Sequence, residues 1–346
     1  MTRAMSHRVF AQLVLVTALS SCSAVLPAGG IDAGTSVVIL AGDPVDAGTD
    51  AGVVVDAGLV PDAGFDAGAS GADAGSTDGG RDPLVIARPF DVTVPVGYRV
   101  DQPVPLVVVV HGYTATAQLQ DLYFGLSRLA QTRTFLVAQP DGLRDQGGLR
   151  YWNATDACCA FGKTTDDVAY LTAVIRDMQA RYAVDPKRIF LIGHSNGAFM
   201  SHRLACDRAG LIAGIVALAG NTWADATRCN PSEGVAVLQV HGTLDPVIAY
   251  GGGATPGQPP YPSAQNSMRT WGAKNRCTGT DLTPIGGDLD LVDLSLGDET
   301  QREGFTGCPG NSAAELWTVR FSGHLPAFND RFAELTFTWL LAHPKP

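Results

Sequence analysis

Residues 105–110 read Pro-Leu-Val-Val-Val-Val, a β-branched run with no polar residue on either side of the pleat. Successive strand side chains point to opposite faces, so such a segment cannot border water on one face and must be covered on both. The same texture returns at 134–142, 188–193, 211–220, 234–242 and 316–323. Between these runs lie segments with helical spacing: 119–131, 164–182, 196–207, 263–275 and 331–344. Buried strands alternating with helices require a mostly parallel sheet with helices on both faces, an α/β architecture. Asp91 to Val96 alternates like an edge strand. Thr165 is placed to cap the helix that follows it, with Asp166 and Asp167 in the first turn where negative charge is favoured. Two stretches break the rhythm, 143–163 and 280–313, and read as loops or insertions.

The first eighty residues have a different character. Arg3, His7 and Arg8 precede an apolar stretch at 9–19, which is too short to span roughly 30 Å of hydrocarbon and suits an export signal. Leu19-Ser20-Ser21-Cys22 resembles a bacterial lipobox, which implies lipidation of Cys22, a membrane anchor and export to the cell envelope. Ser23 after the cysteine implies the outer membrane, and plain secretion is the alternative. Residues 23–82 carry ten Asp against one Arg, and Asp-Ala-Gly occurs seven times at irregular intervals. That composition cannot bury enough apolar surface to offset its ordering entropy, so it reads as a disordered linker with a reach of roughly 40–45 Å. The expected organisation is a signal over 1–22, a linker over 23–82 and a catalytic domain over 83–346. The net charge of −10 sits almost wholly in the linker. The rest is close to neutral and has no clustered Lys/Arg footprint, which excludes a nucleic-acid partner.

Besides Cys22 there are six cysteines, Cys158, Cys159, Cys206, Cys229, Cys277 and Cys308. An even number in an exported chain points to three disulfides. Vicinal cysteines seldom bond each other, so Cys158 and Cys159 are expected to reach Cys206 and Cys229, and Cys277 to meet Cys308. With no Cys-x-x-Cys spacing, a metal site is not expected.

Gly193-His194-Ser195-Asn196-Gly197 is a Gly-x-Ser-x-Gly turn between an apolar run and a helical segment. In that setting the serine stands on a strained corner at the carboxyl edge of the sheet, where open α/β sheets bind ligands. A serine hydroxyl needs a base to attack. Of the seven histidines, His324 follows a late strand in a small-residue loop and is the candidate. The base needs a carboxylate to hold its tautomer. Asp245 follows the strand at 234–242 and is preferred over Asp225, which follows no strand end, and over Asp288, Asp290, Asp293 and Asp298 in the polar insertion. An oxyanion would be held by the N–H of Asn196, after the nucleophile, and that of Tyr113, in the loop after 105–110.

These motifs, with "PLVVVVHGYT", "YWN…CC", "RIFLIGHSNGAFM", "VLQVHGTLDPVIAYGGG" and "SGHLPAF", resemble the polyhydroxybutyrate depolymerase/feruloyl esterase family of α/β-hydrolases from about residue 84 to 344. The resemblance implies the α/β-hydrolase fold, carboxylic-ester hydrolysis outside the cytoplasm and a triad on Ser195, Asp245 and His324, with no cofactor or metal. It departs after the histidine, where the family often has Trp-Pro and this chain has Leu325-Pro326, a position that shapes the substrate groove. Trp152, Trp223 and Tyr261, in loops, are candidates to line the same groove. The substrate class is an ester of a polysaccharide (feruloyl or acetyl) or of a hydroxyalkanoate polymer. A serine peptidase of the same fold, or a surface-binding protein without catalysis, are the alternatives.

Overall fold

The computed structural model describes residues 80–158, 164–254, 257–293 and 297–346. The export signal, Cys22, the linker as far as residue 79, and Cys159 lie outside them. The linker's last residue already has a structural role. The Asp82 carboxylate accepts from Leu84 N–H and caps α1, Pro83–Ala87, with Pro at its first position.

A nine-stranded sheet organises the rest. In chain order its strands are β1 (Asp91–Thr93), β2 (Val104–Val110), β3 (Leu136–Gln139), β4 (Val184–His194), β5 (Gly214–Leu218), β6 (Ala236–Gly242), β7 (Thr283–Pro284), β8 (Thr300–Gly304) and β9 (Ala313–Val319). In space they run β1-β3-β2-β4-β5-β6-β9-β8-β7. The six from β3 to β9 are parallel, and β1, β8 and β7 add antiparallel edges. Every residue of β2, β5 and β6 is buried, as their uninterrupted apolar sequences require.

Helices cover both faces. α4 (Asp167–Arg181), α5 (Asn196–Asp207) and α6 (Ala264–Lys274) contribute to one apolar core with Leu171, Phe199 and Trp271. α2 (Ala117–Phe124), α3 (Leu126–Arg133) and α7 (Arg331–Leu341) build the other with Phe124, Leu126 and Phe337.

Four expectations change. The helix expected over 119–131 is two helices, because Gly125 takes φ 76° and ends α2 before α3 begins. Asp166 rather than Thr165 caps α4, its carboxylate accepting from Ala169 N–H at 2.9 Å. Part of the stretch read as insertion, 280–313, pairs as β7 and β8; their polar sequences suit an edge, where one face stays wet. Finally, Cys206 bonds Cys229, with Cα atoms 5.2 Å apart, so neither is available to Cys158 or Cys159. The end of α5 and the turn at 226–228 lie side by side, a proximity absent from the residue spacing. Cys277–Cys308 forms as expected, and Cys158 is also disulfide-bonded.

Candidate active site

The site begins with two corners that no Cβ could enter. A Cβ on Gly193 would stand 2.3 Å from Gly197 O, and one on Gly197 would stand 2.0 Å from Val110 O. β4 and α5 therefore approach at backbone distance, and the chain between them turns through Ser195 at φ 53°, ψ −121°. A non-glycine residue in that region costs about 1–3 kcal/mol and persists only where its surroundings enforce it. Here they do: Ser195 N–H donates to Leu218 O on β5, and Ser195 O accepts from Ala198 and Phe199 at the start of α5.

The candidate acid and base arrive from farther along. Thr243 to Asp245 follow β6, and Phe321 to His324 follow β9, the strand next to it. Two hydrogen bonds join the loops, Leu244 N–H to Ser322 O and Phe321 N–H to Thr243 Oγ1, both 2.9 Å. Gly242 allows the approach, since a Cβ there would meet Ser322 O at 2.3 Å. The result brings His324 Nδ1 to 2.8 Å from Asp245 Oδ2. Asp245 Oδ1 accepts from Val247 and Ile248 N–H at 2.8 and 2.9 Å, an Asx turn with Pro246 at its corner. Burial pushes the Asp245 carboxyl up, but hydrogen bonds from His241 and His324 outweigh it and hold the group well below the ordinary carboxylate range. It is a fixed anion beside the imidazole.

His324 lies against the elbow. Its ring centroid is 4.7 Å from that of His194, the residue before the serine, and His194 Nε2–H donates to His324 O at 3.0 Å. Nε2 of His324 is buried and hydrogen-bonded to no described residue, the Ser195 hydroxyl included. Catalytic hydrogen bonds are often open in an unliganded enzyme and close around the substrate. Burial, then the neighbouring His324, lowers His194 to about 3, so it stays neutral and serves as a prop.

On the other side of Ser195 stands the loop after β2. A Cβ on Gly112 would lie 3.5 Å from Ser195 Cβ, which puts this backbone against the serine. His111 fixes the loop from beneath: its Nδ1–H donates to Gly112 O at 2.7 Å, and Nε2 accepts from Gly142 N–H at 2.8 Å. Burial lowers His111 to about 4. Tyr113 is half-buried, with its hydroxyl donating to Asp145 at 2.6 Å. Asn196 N–H stands in the first turn of α5, where a helix offers no acceptor of its own.

Sequence reading missed what the side chains of His194 and Asn196 do. Asn196 Oδ1 accepts from Trp152 N–H and its Nδ2–H donates to Trp152 O, which pins Trp152 to the elbow. No sequence signal marks that pairing. The groove candidates divide. Trp152 is 0% exposed, its indole N–H donating to His111 O, so it supports the site from within the core and has no surface to offer a substrate. Trp223 and Tyr261 are also core residues, 5% and 6% exposed, and the Tyr261 hydroxyl accepts from Ala249 N–H. Leu325 is half-buried beside His324.

A sharp serine corner at the carboxyl edge of a parallel sheet, flanked by a late aspartate–histidine pair, has known counterparts. The Phospholipase/Carboxylesterase family model matches residues 155–259. Among curated proteins, feruloyl esterase B of Piromyces equi is 28% identical over 68% of this chain and 42% of its own length. Poly(3-hydroxyalkanoate) depolymerase C of Paucimonas lemoignei is 30% identical over 36% of this chain and 29% of its own. The chain has an α/β-hydrolase fold and is similar in sequence to feruloyl esterases and polyhydroxyalkanoate depolymerases. The chain spans about half the length of the curated relatives it matches. The same fold appears in the acetyl xylan esterase from Aspergillus awamori, at TM-score 0.53 and 14% identity over 72% of this chain and 93% of that one.

Proposed function

We propose that the protein is a serine carboxylic-ester hydrolase working through an acyl-enzyme. The observation that carries this reading is the His324–Asp245 hydrogen bond, held against the Ser195 corner by the His194–His324 contact. Ser195 Oγ attacks the ester carbonyl as His324 Nε2 takes its proton. The N–H groups of Tyr113 and Asn196 hold the oxyanion. His324 then returns the proton to the departing alcohol. Water, deprotonated by the same imidazole, releases the acid. Asp245 keeps the imidazole proton on Nδ1 and stabilises the imidazolium.

The substrate is an ester of a polysaccharide, feruloyl or acetyl, or of a hydroxyalkanoate polymer. Supporting this are the relatives' names and the apolar side chains on the loops that carry the pair: Leu244 is 63% exposed and Phe321 83%. Of the groove candidates, Leu325 is the one that keeps partial exposure beside His324. The enzyme acts outside the cytoplasm, tethered through lipid on Cys22 and the 23–82 linker. The disulfides Cys206–Cys229 and Cys277–Cys308 support an oxidising compartment.

Purified protein is expected to hydrolyse p-nitrophenyl butyrate and to leave the matching anilide intact, and Ser195→Ala is expected to lower kcat/KM by roughly 10⁴–10⁶-fold. Equal turnover by the variant overturns the mechanism, and useful anilide cleavage makes the protein a peptidase.

A further inference from the structure

Asp245 has a second imidazole on it that the hydrolytic reaction does not call on. His241 Nε2 lies 2.8 Å from Ile248 O and 3.3 Å from Asp245 Oδ2, the same oxygen that receives His324. His241 is itself one link in a chain of side chains that are all 0% exposed. Trp271 Nε1 on α6 is 2.9 Å from His202 Nδ1 on α5; His202 Nε2 is 3.1 Å from Gln239 Oε1 on β6; Gln239 Nε2 is 2.8 Å from Asn221 Oδ1 and 3.2 Å from His241 Nδ1.

The sense of every bond follows from the first. An indole N–H only donates. His202 Nδ1 must therefore accept, which leaves its proton on Nε2. That proton needs an acceptor, so Gln239 turns its carbonyl to His202 and its amide N–H groups to Asn221 and His241. His241 Nδ1 accepts in turn, and its proton stands on Nε2, facing Ile248 O and Asp245. This pattern puts the Trp271 N–H, both imidazole protons and the Gln239 amide on acceptors, whereas turning Gln239 over would set donor against donor at His202. Asp245 then has both oxygens committed: Oδ1 to the amides of Val247 and Ile248, and Oδ2 to two imidazoles. The loop has one arrangement, and it aims the carboxylate at His324.

We propose that Trp271, His202, Gln239 and His241 form a directional buried hydrogen-bond relay whose last member, His241, positions Asp245 for its work on His324. His241 is a positioning residue, and the proposal rests on the serine-hydrolase reading.

The test uses the full chain with ¹⁵N-labelled histidine, together with His241→Leu, His241→Gln and Trp271→Phe. In the wild type, ¹⁵N shifts are expected to report His202 and His241 both protonated on Nε2. That readout needs neither substrate nor turnover. With p-nitrophenyl butyrate, His241→Leu is expected to lower kcat about 10–100-fold, the range one charge-assisted hydrogen bond covers, with KM changed less than about threefold. His241→Gln, which keeps an N–H donor, is expected to recover most of the loss. Trp271→Phe removes the indole donor at one end while the Ile248 carbonyl still fixes the other, so the Nδ1-protonated fraction of His202 is expected to rise above that of the wild type while His241 stays protonated on Nε2. An Nδ1 proton on wild-type His241, an undiminished kcat in His241→Leu, or a glutamine variant no better than leucine at equal thermal stability overturns the relay. Should His241→Leu fail to fold, the wild-type and Trp271→Phe spectra still decide. A wild type that hydrolyses no ester refutes the serine-hydrolase reading instead, whatever the tautomers.

Discussion

The Ser195 corner and the paired loops of Asp245 and His324 reach the same edge of the sheet by different means. The corner is held by backbone against backbone, with Gly193 against Gly197 and Gly197 against Val110. Its strained serine is enforced by excluded volume and by backbone hydrogen bonds, with partners both within four residues and on the neighbouring strands β2 and β5. The loops are held by directed hydrogen bonds between residues about eighty apart, Leu244 to Ser322, Phe321 to Thr243 and His324 to Asp245. Excluded volume is unforgiving of an added atom. A hydrogen-bonded loop is forgiving in shape and sensitive to which group donates.

The contrast can be broken from either side. The largest effect is expected from Asp245→Asn, which keeps the shape of the loop and offers His324 an N–H where it needs an acceptor. kcat should fall roughly 10³–10⁴-fold with little change in melting temperature. An activity loss below about tenfold would show that the carboxylate does not set the tautomer. Gly197→Ala should do the reverse and act on stability first. Its Cβ has two carbonyl oxygens within 2.5 Å, Val110 O and His111 O, and a loss of about 3 kcal/mol or more is expected in denaturant titration.

A smaller effect comes from the histidines that brace both regions. His111 and His202 are lowered to about 4 and His194 to about 3, in each case chiefly by burial. Below pH 6.5 the unfolded chain binds protons that these rings refuse while folded. Stability should therefore be level above about pH 6.5 and decline as pH falls toward about 4, by about 1.4 kcal/mol per pH unit for each histidine. Urea midpoints at pH 7, 6 and 5 measure the slope, and a flat profile would mean that the rings accept protons without cost. The smallest effect is expected from Thr243→Val. It removes the acceptor for Phe321 N–H, costing about 1 kcal/mol, and should lower kcat no more than a few-fold because Leu244–Ser322 still joins the loops. A loss as large as that of Asp245→Asn would make this strap part of the machinery.

Legibility in the sequence divides along the same line. Ser195 could be found because the glycines that make its corner are two residues away on each side and the apolar run of β4 leads straight into it. Asp245 and His324 were found by exclusion, from chain order and the strand ends they follow, and their spacing carries no periodicity. Cys206–Cys229 was misassigned, and Trp152 was placed in the groove, because both depend on which loops lie over which helix. The part His241 plays had no local sign at all: a histidine before a glycine at a strand end looks the same at His111, where it braces a different loop.

The amino-acid order alone determined a parallel sheet with covered faces and a strained serine at its carboxyl edge. Those follow from the two-residue period of a strand, the apolar content of successive segments and the absence of a side chain at two glycines. The tertiary structure decided which carboxylate meets which imidazole, which way the imidazoles of the relay point, which cysteines bond and which aromatics are sealed in the core. Those are pairings between distant residues, and they exist once the strands have taken their places side by side.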